Sequence, residues 1–398
     1  MKSDMVVALG QATVQQQTLL GRIDFGIDPA LLDICRIDPS YHSEDDALAP
    51  RGLTLPLAGR QSHAVLGCRY AGTWGLTHGC NDAHLAIGIS RWTSRLADPS
   101  LGFSGPDLVR LALQRTKSAQ QAVEFLTETI ETHGQFNGPS GDDTIFLVAD
   151  SREALVLEAA GKHWALQECL ATRAVSDTAL IRQDWRRLAP GLANMIIEHD
   201  WHRDDGSKID YCGSLCQRVE HEPMRRWSKA TMALAMQERA IDPWCMRQLL
   251  SEHFEACEPI LSPGTTWFGS GVFALDAVKP TIFWHCPDPG RVPLYFPLFV
   301  DATLPAIWAQ GDLPRPARRR FGDTRVSQVV EMLQPQFDRD AEEFIEAALR
   351  MDPAERAARG REIMESHLEL WTRECRKEQP RPVASRRIIA DVQSFISE

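Results

Sequence analysis

The chain becomes strand-like almost at its first residue. Ser3-Asp4-Met5-Val6-Val7-Ala8-Leu9 is an apolar run with a hydroxyl at its head, and a second run closes nineteen residues after Ser3 at Gly21-Arg22, continuing into Ile23-Asp24. Chain ends ordinarily fray, so an ordered strand there is a strong constraint. A serine heading such a strand is placed as an N-terminal nucleophile must be, because the α-amine freed by removal of Met1-Lys2 can take the proton from its own side chain. The plain alternative is a serine in a solvated tail.

Local patterns predict an α+β chain. Ile145-Phe146-Leu147-Val148, Ala154-Leu155-Val156-Leu157 and His163-Trp164-Ala165-Leu166 are short apolar runs separated by Asp150-Ser151-Arg152 and Ala160-Gly161-Lys162, as successive hairpin strands are. Leu108, Leu111, Ala112 and Leu113 recur at helical spacing after Pro106, which suits a first helical turn. Ser118 is placed to cap a second helix carrying Ala122, Val123, Leu126 and Ile130 and ending at Gly134.

Composition narrows the function classes. At 398 residues and 43% hydrophobic content the chain can bury one large core or two. It has no apolar run of about eighteen residues for a membrane span, and its opening lacks a charged stretch, apolar core and cleavage site, so a soluble, cytoplasmic protein without membrane partners is expected. The ten cysteines are scattered, as reduced thiols are. Cys212 and Cys216 enclose Gly-Ser-Leu with His221 five residues on, but a second paired cluster is missing, and no metal is expected. A net charge of −11 disfavours nucleic acid as a partner. Phosphate-cradle and dinucleotide signatures are absent and no cofactor is expected; Gly264 to Gly271 lacks the Lys-Ser/Thr of a phosphate loop and reads as a flexible loop.

Arg315 and Arg318-Arg319-Arg320 read as a solvated linker, beyond which Val326 to Leu333, Ala341 to Leu349 and Ala354 to Leu370 have helical periodicity and dense alternating charge. The chain therefore divides into a main domain, 1–315, and a helical C-terminal extension, 316–398. The extension is read as a dimerisation or docking element.

Residues 3 to 22 resemble the opening of the secernin and cysteine-dipeptidase family, Cys-Asp-x-Phe-Val-Ala-Leu followed by Gly-Lys-Asn-Ser-Asp, with Ser3 on the nucleophile and Arg22 on the basic position. Trp74-Gly75 and Gly79-Cys80-Asn81-Asp82-Ala83-His84-Leu85-Ala86-Ile87-Gly88 resemble its Trp-Gly and Gly-x-Asn-Glu-x-Gly-Val-x-Ile-Gly stretches. Gly105 to Arg115, Phe146 to Trp164 and Arg173-Ala174-Val175-Ser176 are similar to later stretches in the same order, so the resemblance runs from about residue 3 to 300. It implies an Ntn-hydrolase αββα sandwich, two mainly antiparallel sheets between helical layers, with Gly264 onward and Trp284-His285-Cys286-Pro287 as a late strand pair.

The resemblance also implies amide chemistry on a short peptide or small amide, with serine in place of the family cysteine. Its active-site signature has departures. Lys-Asn-Ser-Asp becomes Arg22-Ile23-Asp24-Phe25, Asn-Glu-Ala becomes Ile89-Ser90-Arg91, and an Asn becomes Asp177, whose carboxylate would repel a developing negative charge. Asp24, Asn81 and Asp177 are the candidates for a polar ring around Ser3 and Arg22; Asn81 could equally hold a turn. Arg226 is a candidate clamp for a substrate carboxylate, and Trp74 a candidate substrate contact. Two expectations stay open: an amidohydrolase or acyltransferase attacking through Ser3, or an inactive fold kept for binding or assembly.

Overall fold

The computed structural model describes residues 2–26, 32–41, 47–48, 55–56, 61–96, 102–136, 142–217, 220–261, 265–287, 293–309 and 324–377. The chain opens with β1 (Lys2–Ala8) and β2 (Thr18–Gly26), then β3 (Leu32–Ile37), β4 (Ala47–Leu48), β5 (Leu55–Pro56), β6 (Val65–Tyr70), β7 (His78–Asn81) and β8 (Ala86–Trp92). Helices α1 (Gly105–Arg115) and α2 (Ala119–His133) lead to β9 (Asp143–Ala149), β10 (Ala154–Ala160), β11 (His163–Glu168), β12 (Thr172–Val175) and β13 (Arg187–Leu188). Next come α3 (Leu192–Glu198), α4 (Tyr211–Leu215), α5 (His221–Met236) and α6 (Pro243–Cys257). The last elements are β14 (Thr266–Leu275), β15 (Ile282–Cys286), β16 (Phe296–Phe299), α7 (Ala306–Ala309), α8 (Thr324–Ala348) and α9 (Pro353–Lys377).

Two sheets form the centre. One has six strands in the order β12-β1-β2-β14-β15-β16, the other eight in the order β13-β11-β10-β9-β8-β7-β6-β3, and neighbouring strands pair antiparallel throughout. The sheets meet face to face where β1 passes β8; α1 and α2 cover the outer face of the larger sheet, and α5 and α6 that of the smaller. The fold is thus the α+β sandwich of two antiparallel sheets between helical layers. β9 and β10 are buried along their whole length, as strands covered on both faces must be.

Local chemistry sets these elements. Ser104 caps α1 in a capping box with Asp107, with Pro106 in the first turn. Ser118 caps α2, and Gly134 closes it at φ +77°. Gly75 lies against the first turn of α1: a Cβ there would sit 2.4 Å from the Pro106 carbonyl carbon.

Two readings of the chain need correction. Residues 266–271 are strand, not flexible loop, and β14 inserts between β2 and β15; Gly271 is needed because a Cβ would lie 2.3 Å from the Phe283 ring. Gly264 and the arginine run 315–320 lie outside the described residues. The first two C-terminal segments are one helix, α8, which runs through Pro335, a residue that removes one donor without ending the helix. The helical extension packs back on the body: the rings of Phe337 and Phe344 lie tilted against Phe296 and Phe299 of β16, centroids 5.4 and 4.3 Å apart, and Arg247 of α6 pairs with Asp338 at 2.8 and 3.0 Å. No described helix is long and apolar enough to cross a membrane.

Candidate active site

The antiparallel register places Asp24 directly opposite Ser3, and Arg22 opposite Met5. With side chains alternating along a strand, Ser3, Met5, Arg22 and Asp24 share one face. Met5 shows which: its Sδ lies over Gly88 of β8, where a Cβ would come within 2.7 Å, so this face looks into the space between the sheets. Asp4 points the other way, toward α5 and α6.

Ser3 is 4% exposed. Its backbone N–H donates to both carboxylate oxygens of Asp177 at 3.2 Å, and its Oγ donates to the Ile89 carbonyl at 3.3 Å. The Arg22 guanidinium donates to the same carbonyl. Ser90, next along β8, donates through Oγ to Asp177 Oδ1 at 2.6 Å. Where the sequence suggested a lost amide at positions 89–91, a main-chain oxygen therefore meets the Ser3 hydroxyl and the Ser90 hydroxyl meets Asp177.

Arg22 and Asp24, two residues apart on β2, form a buried ion pair with Nη2 2.6 Å from Oδ1. Burial pushes the Asp24 carboxyl upward and Arg22 opposes it; burial would lower the Arg22 guanidinium, but Asp24 holds it above its ordinary value, so it keeps its proton. Burial, then Asp24, pushes the Tyr70 hydroxyl up to about 12, with Arg22, Arg91 and Asp177 also acting on it. Tyr70 at the end of β6 is therefore a neutral phenol beside the cluster.

Behind the strand a second network holds the first. Arg226 of α5 donates to Asp4 and, through Nη2, to Asp177 Oδ2 at 2.6 Å. His253 Nε2 of α6 meets Asp4 Oδ2 at 2.8 Å. Against the burial that would raise it, Arg226 and His253 hold the Asp4 carboxyl down at about 2. Arg226 is fully buried and both ends of its guanidinium are taken by this chain's own carboxylates, so the geometry makes it an internal brace and not an open clamp for a substrate carboxylate. The same contact answers the expected repulsion from Asp177, whose charge is matched by Arg226.

Two further candidates stand elsewhere. Asn81 donates to the Leu113 and Thr116 carbonyls at 2.8 Å and accepts from the Ala83 and Leu85 N–H groups; its amide nitrogen ties the β7 turn to the end of α1 and its oxygen closes that turn. Trp74 lies under the Arg110 guanidinium, 4.0 Å from its ring centre, and its carbonyl accepts from Arg110. The structure thus gathers Ser3, Arg22, Asp24, Asp177 and Arg226. It also adds Asp4, Tyr70, Ser90, His253 and the Ile89 carbonyl; Ile89 and Ser90 lay in the altered signature, and Asp4, a charge inside an apolar strand, carried a readable signal of its own.

A cleft of about 210 Å³ opens beside this cluster, lined among others by Lys2, Arg91, Asp142, Asp177, Thr178 and Glu220. Among the described residues no group of three or more His, Cys, Asp or Glu side chains is placed to hold a metal ion; Cys212 donates to the Ala179 carbonyl at 3.1 Å.

No protein-family model matches the chain. Among solved structures it is similar to two variant forms of the conjugated bile acid hydrolase from Clostridium perfringens. One aligns at TM-score 0.43 and 10% identity over 75% of this chain and 92% of that one, the other at 0.44 and 9% over 74% and 92%. A Caenorhabditis elegans N-acylethanolamine-hydrolyzing acid amidase ortholog aligns at TM-score 0.34 and 12% identity over 68% of this chain and 91% of that one.

Proposed function

We propose that the chain is an N-terminal-nucleophile amidohydrolase acting on a short peptide or small amide, with Ser3 as nucleophile once the residues before it are released. The observation that carries this reading is the setting of Ser3: a buried hydroxyl at the head of β1, its nitrogen held by Asp177 and its oxygen sharing the Ile89 carbonyl with Arg22.

In the reaction, Ser3 Oγ bonds to the amide carbonyl carbon while its proton passes to the freed α-amine. The tetrahedral oxyanion lies on the face that carries the Arg22 cation. Collapse breaks the C–N bond, the ammonium returns the proton to the leaving amine, and water hydrolyses the serine ester by the same route. Transfer of the acyl group to an amine in place of water gives the acyltransferase variant.

Intact mass should show loss of Met1 and Lys2 from the folded protein, and a β-lactone probe should acylate it stoichiometrically. Ser3→Ala should abolish labelling. A folded protein that keeps its first residues and takes no label rejects the reading. That outcome would favour the second one, an inactive fold kept for binding, which rests on the absence of Ser3 from the lining of the cleft and on its hydroxyl being engaged with a carbonyl.

A further inference from the structure

The residue before the nucleophile is seated as a ligand would be. Lys2 reaches from β1 to α5, where its ammonium meets Glu222 Oε2 at 2.5 Å and Oε1 at 2.7 Å. Its side chain forms part of the wall of the cleft beside Asp177. Arg226 also approaches Glu222, but only through Nε at 3.5 Å, and its two terminal nitrogens are committed to Asp4 and Asp177. Lys2 is therefore the principal counter-charge of Glu222, and it departs when the residues before Ser3 are released.

Its departure uncovers the Glu222 carboxylate and frees the space the lysine side chain spans between two fixed points. The start is the Ser3 nitrogen, to which the Lys2 carbonyl is bonded. The end is the Glu222 carboxylate, roughly 6 Å along an extended lysine side chain. In an acyl-enzyme the acyl carbon is bonded to Ser3 Oγ, and in the intact chain the Lys2 acyl carbon is bonded to the nitrogen of that same serine. The lysyl group thus stands one position away from where a substrate acyl group must lie.

The geometry points to a cation pocket on Glu222 that selects amides whose acyl part carries a primary ammonium at the end of a lysine-length chain. This deepens the proposed hydrolase reading and rests on it for the catalytic arm, but the pocket is testable by binding alone. The docked Lys2 ammonium shows what the carboxylate accepts.

The test uses the full chain beginning at Ser3, exposed by cleaving a removable N-terminal fusion, and the aminocoumarin amides of lysine, of norleucine, which keeps the four-carbon stem without the ammonium, and of glutamate. Lysine should exceed norleucine in kcat/KM by about tenfold to a hundredfold, the range of one charge-assisted contact, and glutamate should be slowest. Glu222→Gln should bring the lysine-to-norleucine ratio toward one. In parallel, L-lysinamide binding to the Ser3→Ala chain with the same start is measured by calorimetry, and Glu222→Gln should weaken it at least tenfold.

Hydrolysis of all three amides at similar rates, or lysinamide binding indifferent to Glu222→Gln, overturns the pocket while leaving the hydrolase reading intact. Absence of all hydrolysis and of β-lactone labelling, with lysinamide still bound through Glu222, rejects the hydrolase reading and supports the pocket.

Discussion

At the scale of single residues, the site is defined by what surrounds one nitrogen. Asp177 places a carboxylate 3.2 Å from the Ser3 nitrogen, and a negative charge beside an α-ammonium holds its proton more tightly. In the proposed reaction Asp177 thus favours the protonated form of the amine that must act as base. Asp177→Asn keeps an oxygen acceptor and removes the charge, so the acid limb of the kcat/KM–pH profile should move to lower pH by roughly one unit; an unchanged limb would mean that another group sets it. Arg22 and Asp24 were legible because two residues in a strand share a face. The convergence of Asp177 and Arg226 was not, since 49 positions separate them and only the packing of α5 on β1 and β12 brings them together. Asn81 misled for a plain reason: an Asn in a turn and an Asn beside an oxyanion look alike until their partners are known.

At the scale of elements, the strand that delivers Asp177 is fixed from an unexpected quarter. Glu158 on β10 accepts N–H bonds from Leu180 and Ile181 at 2.6 to 3.2 Å, anchoring the segment that follows Asp177. Burial raises its carboxyl from 4.5 to about 7, against the pull of those two bonds. Between these values the folded protein retains a proton that the unfolded chain has lost. Stability should thus fall as pH rises through this window and level off above it, by on the order of 3 kcal/mol. Glu158→Gln retains an acceptor and cannot ionise, so urea unfolding at pH 5, 6 and 7.5 should give a flatter profile than wild type; equal slopes would show that Glu158 is not the titrating group. The hairpins β9 to β11 and the caps of α1 and α2 were legible because their signals are local. β14 was legible only through the family resemblance, which implied a late strand pair; its own glycines resemble a loop until Phe283 is seen to lie on Gly271.

At the scale of the whole molecule, the C-terminal helices belong to the same apolar core as the sheets. Phe337 and Phe344 of α8 and Trp371 of α9 lie within the aromatic cluster that covers β16. The division at residue 315 followed a change in charge pattern, which reports a solvated outer face and says nothing of the apolar one. One cooperative unfolding transition is expected, the same by tryptophan fluorescence and far-ultraviolet circular dichroism. Phe337→Ala should shift that single transition by about 3 to 5 kcal/mol, whereas separate loss of the helices would appear as a second step.

The Ile89 carbonyl that receives both Ser3 and Arg22 belongs to the main chain, so the side chain at position 89 is not the chemical partner and can vary without deleting the acceptor. Related chains could therefore differ at that position and still present the same oxygen to the same two donors. What drift cannot alter freely there is the path of the backbone, so a proline or a one-residue insertion in β8 would do more harm than any exchange of side chain.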